Sequence, residues 1–355
     1  MKKLLSPFEK GHFRLKNHLV MAPMTRSRAV GNVPNELMAT YYAQRSGAGL
    51  IIAEGTSPSP EGLGYPRIPG IFSEQQVQGW KRITDAVHQH GSAIFVQLMH
   101  TGRIGHSANL PDGFHLVAPS NIKAAGEIHT DTLGKQAHSE PIALSREGIE
   151  RVIESFVSAA RNAVKAGFDG IELHAANGYL LEQFLNPNVN DRTDDYGGTI
   201  ENRSRLIVEI ATRTADAIGK DRIGIRISPF STLGDLQPYD TAEVHQTYAY
   251  LSRELNALGI AYIHVSVNPN IPAETHEAIR SAFSNTIIYC NGLTAETAET
   301  ILQEGSADLV AFGRGFLANP DFPRRIERNA PLNDVNFKAL YTPDAVGYTD
   351  YPALA

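Results

Sequence analysis

The chain of 355 residues has a single cysteine, Cys290. One thiol excludes an internal disulfide framework and any Cys-clustered zinc or iron–sulfur centre. A basic excess is also missing: 32 Lys and Arg stand against 38 Asp and Glu, giving a net charge of −6 and a pI near 6.1. Nucleic-acid binders carry a cationic footprint that this balance lacks. No apolar run reaches membrane-spanning length, and the apolar part of the opening MKKLLSPFEKGHF is far too short for a signal peptide. No low-complexity linker or break in composition divides the chain. The strand-then-G-x-G-x-x-G signature of dinucleotide-binding sheets and the G-x-S-x-G elbow of serine hydrolases are absent as well. These absences predict a cytoplasmic enzyme of small molecules, with no nucleic-acid, membrane or metal partner.

What is present is alternation. The runs HLVMAPM, GLIIAEGT, AIFVQLMH, DGIELHA, RIGIRISP, AYIHVSV, TIIYCNG and ADLVAFGR are rich in Ile, Val and Leu and usually end in Gly, Pro or a polar residue. Buried parallel strands read this way. Amphipathic helical stretches lie between them, among them NELMATYYAQRSG and SREGIERVIESFVSAARNAVKAG, the second closing on a glycine. About eight β–α repeats predict a (β/α)8 TIM barrel, with a doubly wound sheet as the competing layout. The expected organisation is one domain over 1–355, with a capping insertion after the third strand at roughly 101–145, where helical periodicity fails.

Barrel enzymes keep their chemistry at the C-terminal ends of the strands. Here those ends supply Pro23, Met24 and Thr25; Gly55; Gln97, Met99 and His100; His174, Asn177 and Tyr179; Arg226; and, after strands seven and eight, Asn291, Gly292, Gly313, Arg314 and Gly315. The last group occupies the recurrent phosphate position of such barrels, where glycines admit close backbone approach and Arg314 adds charge-assisted hydrogen bonds. The Gln97 amide, with donor and acceptor, suits a pyrimidine-like ring edge. Arg226 would set a fixed positive charge where a reduced ring becomes anionic. Phosphate, ring edge and buried cation together suggest flavin mononucleotide (FMN). Hydride addition to an enone places negative charge on its oxygen, which an imidazole and an amide at one strand-to-helix turn can receive. A phenol stays protonated at neutral pH and can deliver the second hydrogen as a proton. Taken singly, His174 reads as a core histidine and Asn177 and Tyr179 as helix-capping and packing residues. Their joint placement points to function.

The stretches APMTRSRA, FVQLMHTGRIGHS, DGIELHAANGYLLEQFLNPNVNDRTDDYGGTIENRSR, FGRGFLANPDFPRRI and GYTDYPAL resemble the Old Yellow Enzyme family of FMN-dependent ene-reductases over essentially the whole chain. The Thr25 form of the first stretch and the tail resemble the bacterial pentaerythritol tetranitrate and N-ethylmaleimide reductase branch. The resemblance implies tightly bound, non-covalent FMN and transient NADPH or NADH. Thr25 would bond the flavin O4, Gln97 the pyrimidine edge, Arg226 the N1/O2 side, and Gly313 with Arg314 the phosphate. Pro23, Met24 and Gly55 would line the ring, with Asn291 and Gly292 in the phosphate turn. His174 and Asn177 would clamp the substrate oxygen while Tyr179 protonates the α-carbon, and Tyr65, Met99 and Tyr341 would border the substrate. In the implied cycle the nicotinamide reduces the flavin, and an electron-poor alkene then takes hydride at its β-carbon. Nitro, nitrate-ester or quinone reduction on the same barrel is the alternative, as is a flavin-binding barrel without catalysis. A monomer or weak homodimer is expected.

Three expectations belong to this chain in particular. Met99 stands where relatives carry a tryptophan, which predicts a roomier site. Asn291 stands where relatives often have glycine, at a position suited to a left-handed backbone. Strand parity places Glu172 one layer below His174 and predicts burial, with Arg226 as partner. His88 and His90 read as solvated surface, and His100 and His106 as structural.

Overall fold

Eight runs of β-branched and aliphatic residues become the eight parallel strands of a closed barrel in the computed structural model, which describes residues 2–267 and 271–355. The strands are β1 (Leu19–Met21), β2 (Leu50–Thr56), β3 (Ala93–Leu98), β4 (Gly170–Ala175), β5 (Ile223–Ile227), β6 (Tyr262–Ser266), β7 (Thr286–Cys290) and β8 (Leu309–Phe312). Each pairs with its sequence neighbours, and β8 returns to β1 through Val310 beside Leu19. Every residue of β2, β4, β5, β6, β7 and β8 is buried, as strands covered by helices outside and filled by side chains inside must be. The (β/α)8 reading holds, and the doubly wound sheet does not.

The helices form where sequence caps and apolar spacing agree. Helix Glu74–His88 opens on a capping box between Ser73 and Gln76 and turns Val77, Trp80, Ile83 and Val87 inward at helical spacing. Trp80 is fully buried, edge-on to Phe168, with its indole N–H on Gly70 O at 3.1 Å; truncating such an anchor costs about 3–5 kcal/mol. Helix Arg146–Lys165 starts at Ser145, whose hydroxyl accepts Gly148 N–H, and ends just before Gly167 at φ +89°.

Alternation along the strands divides outside from inside. Ile171 and Leu173 of β4 face the helices, which leaves Glu172 and His174 for the barrel interior. At the N-terminal end the interior is plugged by a hairpin of Phe8–Lys10 and Phe13–Leu15. Its Phe13 ring lies 6.0 Å from Phe95 and 6.1 Å from Tyr262. With that end filled by apolar rings, open space is left at the C-terminal face.

Over that face lies the segment between β3 and helix Arg146–Lys165. It contains a short parallel pair, Val117–Ala118 with Ile142–Ala143, and a hairpin, Glu127–Thr130 with Gly134–Ala137. No helix among the described residues is long and apolar enough to cross a membrane.

Candidate active site

The strand ends of β1, β3, β4 and β5 and the turn after β8 converge on one cavity of about 640 Å³. Pro23, Met24 and Thr25 form one wall, and Gln97 with Met99 another. His174, Asn177 and Tyr179 line it from β4, Arg226 from β5 and Arg314 from the turn beyond β8. Tyr65 and Tyr341 stand at its border. Gly55, Asn291, Gly292 and Gly313 do not line it. Gly55 instead backs Met99, whose sulfur lies 2.5 Å from where a Cβ at Gly55 would sit. Asn291 has φ +84°, the left-handed backbone expected of it, and its amide donates to Ser266 Oγ at 2.6 Å. His88 is exposed and hydrogen-bonded to Asp169 at 2.9 Å, while His100 is buried and accepts Gly102 N–H.

Beneath the cavity floor a carboxylate organises the interior. Glu172 is fully buried, as parity predicts, but its partner is not Arg226. Gln97 Nε2 donates to one of its oxygens at 2.8 Å, and His264 Nδ1 lies 2.8 Å from the other. Side-chain direction sets this pairing. Arg226 and His264 lie at the same level on β5 and β6, but the His264 ring turns toward Glu172 while the Arg226 guanidinium leans toward Cys290, 3.8 Å away. Burial opposes a charge on His264, but Glu172 and Cys290 together outweigh it and raise its pKa. The compensated carboxylate thus belongs to an imidazole–amide pair, which leaves the Arg226 cation for the cavity.

The catalytic candidates themselves sit in a dry environment. Burial, reinforced by Arg226 and His264, holds His174 well below the usual imidazole range, so it is neutral at physiological pH. Its ring packs edge-on against Tyr179 at 4.9 Å. Burial pushes the Tyr179 phenol up, and the hydrogen bond to Tyr65 Oη, 3.1 Å away, partly opposes that. Asn177 occupies the turn after β4 with φ +59°, in the left-handed region that asparagine enters more readily than most non-glycine residues.

The donor set fits FMN. Arg226 Nε and His174 Nδ1 are buried without hydrogen-bond partners among the described residues, a costly state that a polar ligand relieves. The Gln97 amide retains its carbonyl as acceptor after bonding Glu172. Arg314 has no carboxylate partner among the described residues and lies 5.8 Å from the Phe337 ring, free to take a phosphate.

Several lining residues were not anticipated. Ile128 and His129 come from the cap hairpin, and Leu340 from the C-terminal tail. Arg28, fully buried, holds that tail by donating to the carbonyls of Ala339, Leu340, Asp344 and Val346, and Arg26 donates to Gly347 O at 2.6 Å. Arg67 ties the hairpin to the tail, pairing with Asp131 and donating to Tyr341 O. The only signal was the pair of arginines in TRSRA, two residues apart on an apolar strand end.

Comparison with known proteins agrees with this geometry. Residues 3–333 match the model of the NADH:flavin oxidoreductase / NADH oxidase family. The chain is 42% identical to 12-oxophytodienoate reductase 1 of Oryza sativa subsp. japonica over 362 residues, covering 99% of this chain and 93% of that one. It is 40% identical to 12-oxophytodienoate reductase 2 of Arabidopsis thaliana, covering 99% and 96%. The structure of morphinone reductase in complex with tetrahydroNAD superposes with TM-score 0.96 at 41% identity, covering 100% of this chain and 98% of that one. The old yellow enzyme homologue of Zymomonas mobilis superposes with TM-score 0.94, also at 41% identity, covering 99% and 100%. The pentaerythritol tetranitrate reductase branch is compatible with these matches and not singled out by them. With the family model spanning nearly the whole barrel and the relatives aligning end to end, the chain belongs to the NADH:flavin oxidoreductase / NADH oxidase family, as an Old Yellow Enzyme homologue and an FMN- and NAD(P)H-dependent oxidoreductase.

Proposed function

We infer that the protein is an ene-reductase: it adds hydride to the β-carbon and a proton to the α-carbon of an alkene conjugated to a carbonyl or nitro group. The observation that carries this reading is the convergence of His174, Asn177 and Tyr179 in the cavity that also holds Gln97 and Arg226. FMN held there would supply the hydride, drawn from NADH or NADPH. Gln97 and Arg226 would hold its ring, Thr25 would tune it, and Arg314 would hold its phosphate.

The chain's own groups handle the charge and the proton. As hydride arrives, electron density moves to the substrate oxygen. The Asn177 amide and the N–H of neutral His174 line the same cavity and would receive that charge, and such a donor is worth about 3 kcal/mol when the charge develops in a water-poor site. Neutrality matters for His174: an imidazolium beside Arg226 would need burial of two cations, whereas the neutral ring donates one N–H without that penalty. Tyr179 remains a phenol throughout the neutral range and gives its proton to the α-carbon. Tyr65 Oη bonds Tyr179 and can stabilise the oxygen left behind. The relatives named as 12-oxophytodienoate and morphinone reductases support the substrate class.

The test is an anaerobic absorbance spectrum of the purified protein, before and after NADH or NADPH and then after 2-cyclohexenone. A yellow flavin band that bleaches with the nicotinamide and returns with the enone supports the reading. Bleaching that fails to return with enones and nitroalkenes, but returns with a nitrate ester, a nitroarene or a quinone, would move the substrate class and overturn the ene-reductase assignment.

A further inference from the structure

The turn that carries Asn177 is held from behind by a carboxylate that does not line the cavity. Asn177 and Gly178 have consecutive positive φ angles, 59° and 82°. A Cβ at Gly178 would meet Leu233 O at 2.3 Å, so the second position requires glycine. Two left-handed residues in a row take their N–H groups out of both the preceding strand and the following helix Leu180–Leu185. Buried backbone donors must find acceptors elsewhere.

They find them in one connected set. Asn177 N–H donates to Ser228 Oγ at 2.8 Å, and the Ser228 hydroxyl donates onward to Glu182 Oε1 at 2.6 Å. Gly178 N–H donates to Glu182 Oε2 at 2.6 Å. Tyr248 Oη, from helix Thr241–Leu258, donates to Oε1 at 3.0 Å. On the opposite side Gln183 Nε2 donates to Gly178 O at 2.7 Å. Glu182 is 2% exposed, and its carboxylate is the common acceptor of the set. An ionised carboxylate suits this because it accepts on both oxygens, whereas a glutamine would turn an N–H toward one of the donors.

We propose that Glu182 is a positioning residue for the substrate clamp: its carboxylate, directly and through Ser228, fixes the left-handed Asn177–Gly178 turn. The direction of the Asn177 amide follows from that turn. Glu182 touches neither substrate nor cofactor. The inference rests on the ene-reductase reading of Asn177 above. Burial pushes the Glu182 carboxyl up to about 7, so the assay is run at about pH 8.5, where the ionised form dominates.

The test is a double-mutant cycle on the FMN-loaded protein, reading kcat/KM for 2-cyclohexenone together with flavin content and thermal unfolding. Glu182→Gln should lower kcat/KM about tenfold with flavin content unchanged; in an Asn177→Ala background the same change should cost less than about twofold, because coupled residues are not additive. Ser228→Ala, which cuts only the Asn177 link, should lower it about threefold and also lose its effect in Asn177→Ala. The Ser228 variant decides the matter if Glu182→Gln does not fold. An undiminished loss in the Asn177→Ala background, or wild-type turnover in the Glu182 and Ser228 variants, overturns the positioning role. Wild-type turnover in Asn177→Ala alone would instead sink the clamp reading on which it rests.

Discussion

Tyr65 and Tyr179 meet hydroxyl to hydroxyl at 3.1 Å, their rings nearly perpendicular at 87°. Tyr65 comes from the segment after β2 and Tyr179 from the turn after β4, and both line the cavity. Burial raises the pKa of each phenol, and for Tyr179 the bond to Tyr65 works in the opposite direction. Tyr65 therefore helps the proposed proton donor to part with its proton.

Replacing Tyr65 with phenylalanine should slow alkene reduction about fivefold, the equivalent of one hydrogen bond of about 1 kcal/mol. Tyr179→Phe should slow it by about a hundredfold or more, the usual size of a lost general acid. Stopped-flow separation of the two half-reactions checks this: flavin reduction by NADH or NADPH should keep its wild-type rate in both variants. Equal losses in the two half-reactions would contradict a role in protonation.

Met99 is 1% exposed, and its sulfur occupies the space that Gly55 leaves open. Methionine bends into that hollow, whereas a planar indole does not. Met99→Trp should therefore destabilise the fold by about 1–3 kcal/mol, the usual cost of overpacking, and narrow the cavity. A fall in melting temperature measures the first effect. Chiral analysis of a β,β-disubstituted enone product measures the second, and an unchanged enantiomeric outcome would refute a steric role for Met99.

Glu54, at the end of β2, accepts Arg26 N–H and bonds the Tyr42 hydroxyl. Burial nonetheless pushes its carboxyl up from 4.5 to about 7. In the unfolded chain the group ionises at its ordinary value, so between these two pH values the folded state holds more protons. Stability contributed by Glu54 is thus present below about pH 4.5 and lost as pH rises through 7, by roughly 3 kcal/mol. His100 acts with the opposite sign: burial lowers it to about 3, and its contribution, full above about pH 6.5, is lost as pH falls. Glu54→Gln isolates the first term. Urea unfolding at pH 5 and pH 8 should show the variant gaining on the wild type by roughly 3 kcal/mol at the higher pH; a constant difference would show that Glu54 does not titrate in this window.

Arg28 fastens the C-terminal tail through four of its carbonyls, and the tail supplies Leu340 and Tyr341 to the cavity. At about 1 kcal/mol for each bond to a neutral acceptor, Arg28→Met should free the tail before it unfolds the barrel. Limited proteolysis should cut near residues 339–347 in the variant and not in the wild type. KM for enones should rise about tenfold or more as the tail wall is lost, since several kcal/mol of holding energy disappear.

The barrel was legible because its signal is local. Each strand is a short run of Ile, Val and Leu, and each helix has caps and spacing that can be read within a few residues. The proposed site was legible for a related reason: in a parallel barrel the C-terminal end of every strand arrives at one face, so Gln97, His174 and Arg226 had to be neighbours. The turn residues Asn177 and Tyr179 came with them.

Pairing inside the barrel was another matter. Alternation established that Glu172 faces inward, yet whether Arg226, His264 or Gln97 reaches it depends on strand register, tilt and side-chain direction around a closed circle. Those are set by all eight strands at once. The tail held by Arg28, the hairpin tied down by Arg67 and the Glu182 set behind Asn177 join segments up to 318 residues apart, and no period or cap in the sequence announces such contacts. The sequence by itself determined which elements form and which side chains reach the mouth of the barrel, because backbone geometry and strand alternation act over a few residues. The tertiary structure alone decided which buried charge meets which partner, because a buried polar group is satisfied by whatever the closed fold brings within about 3 Å of it.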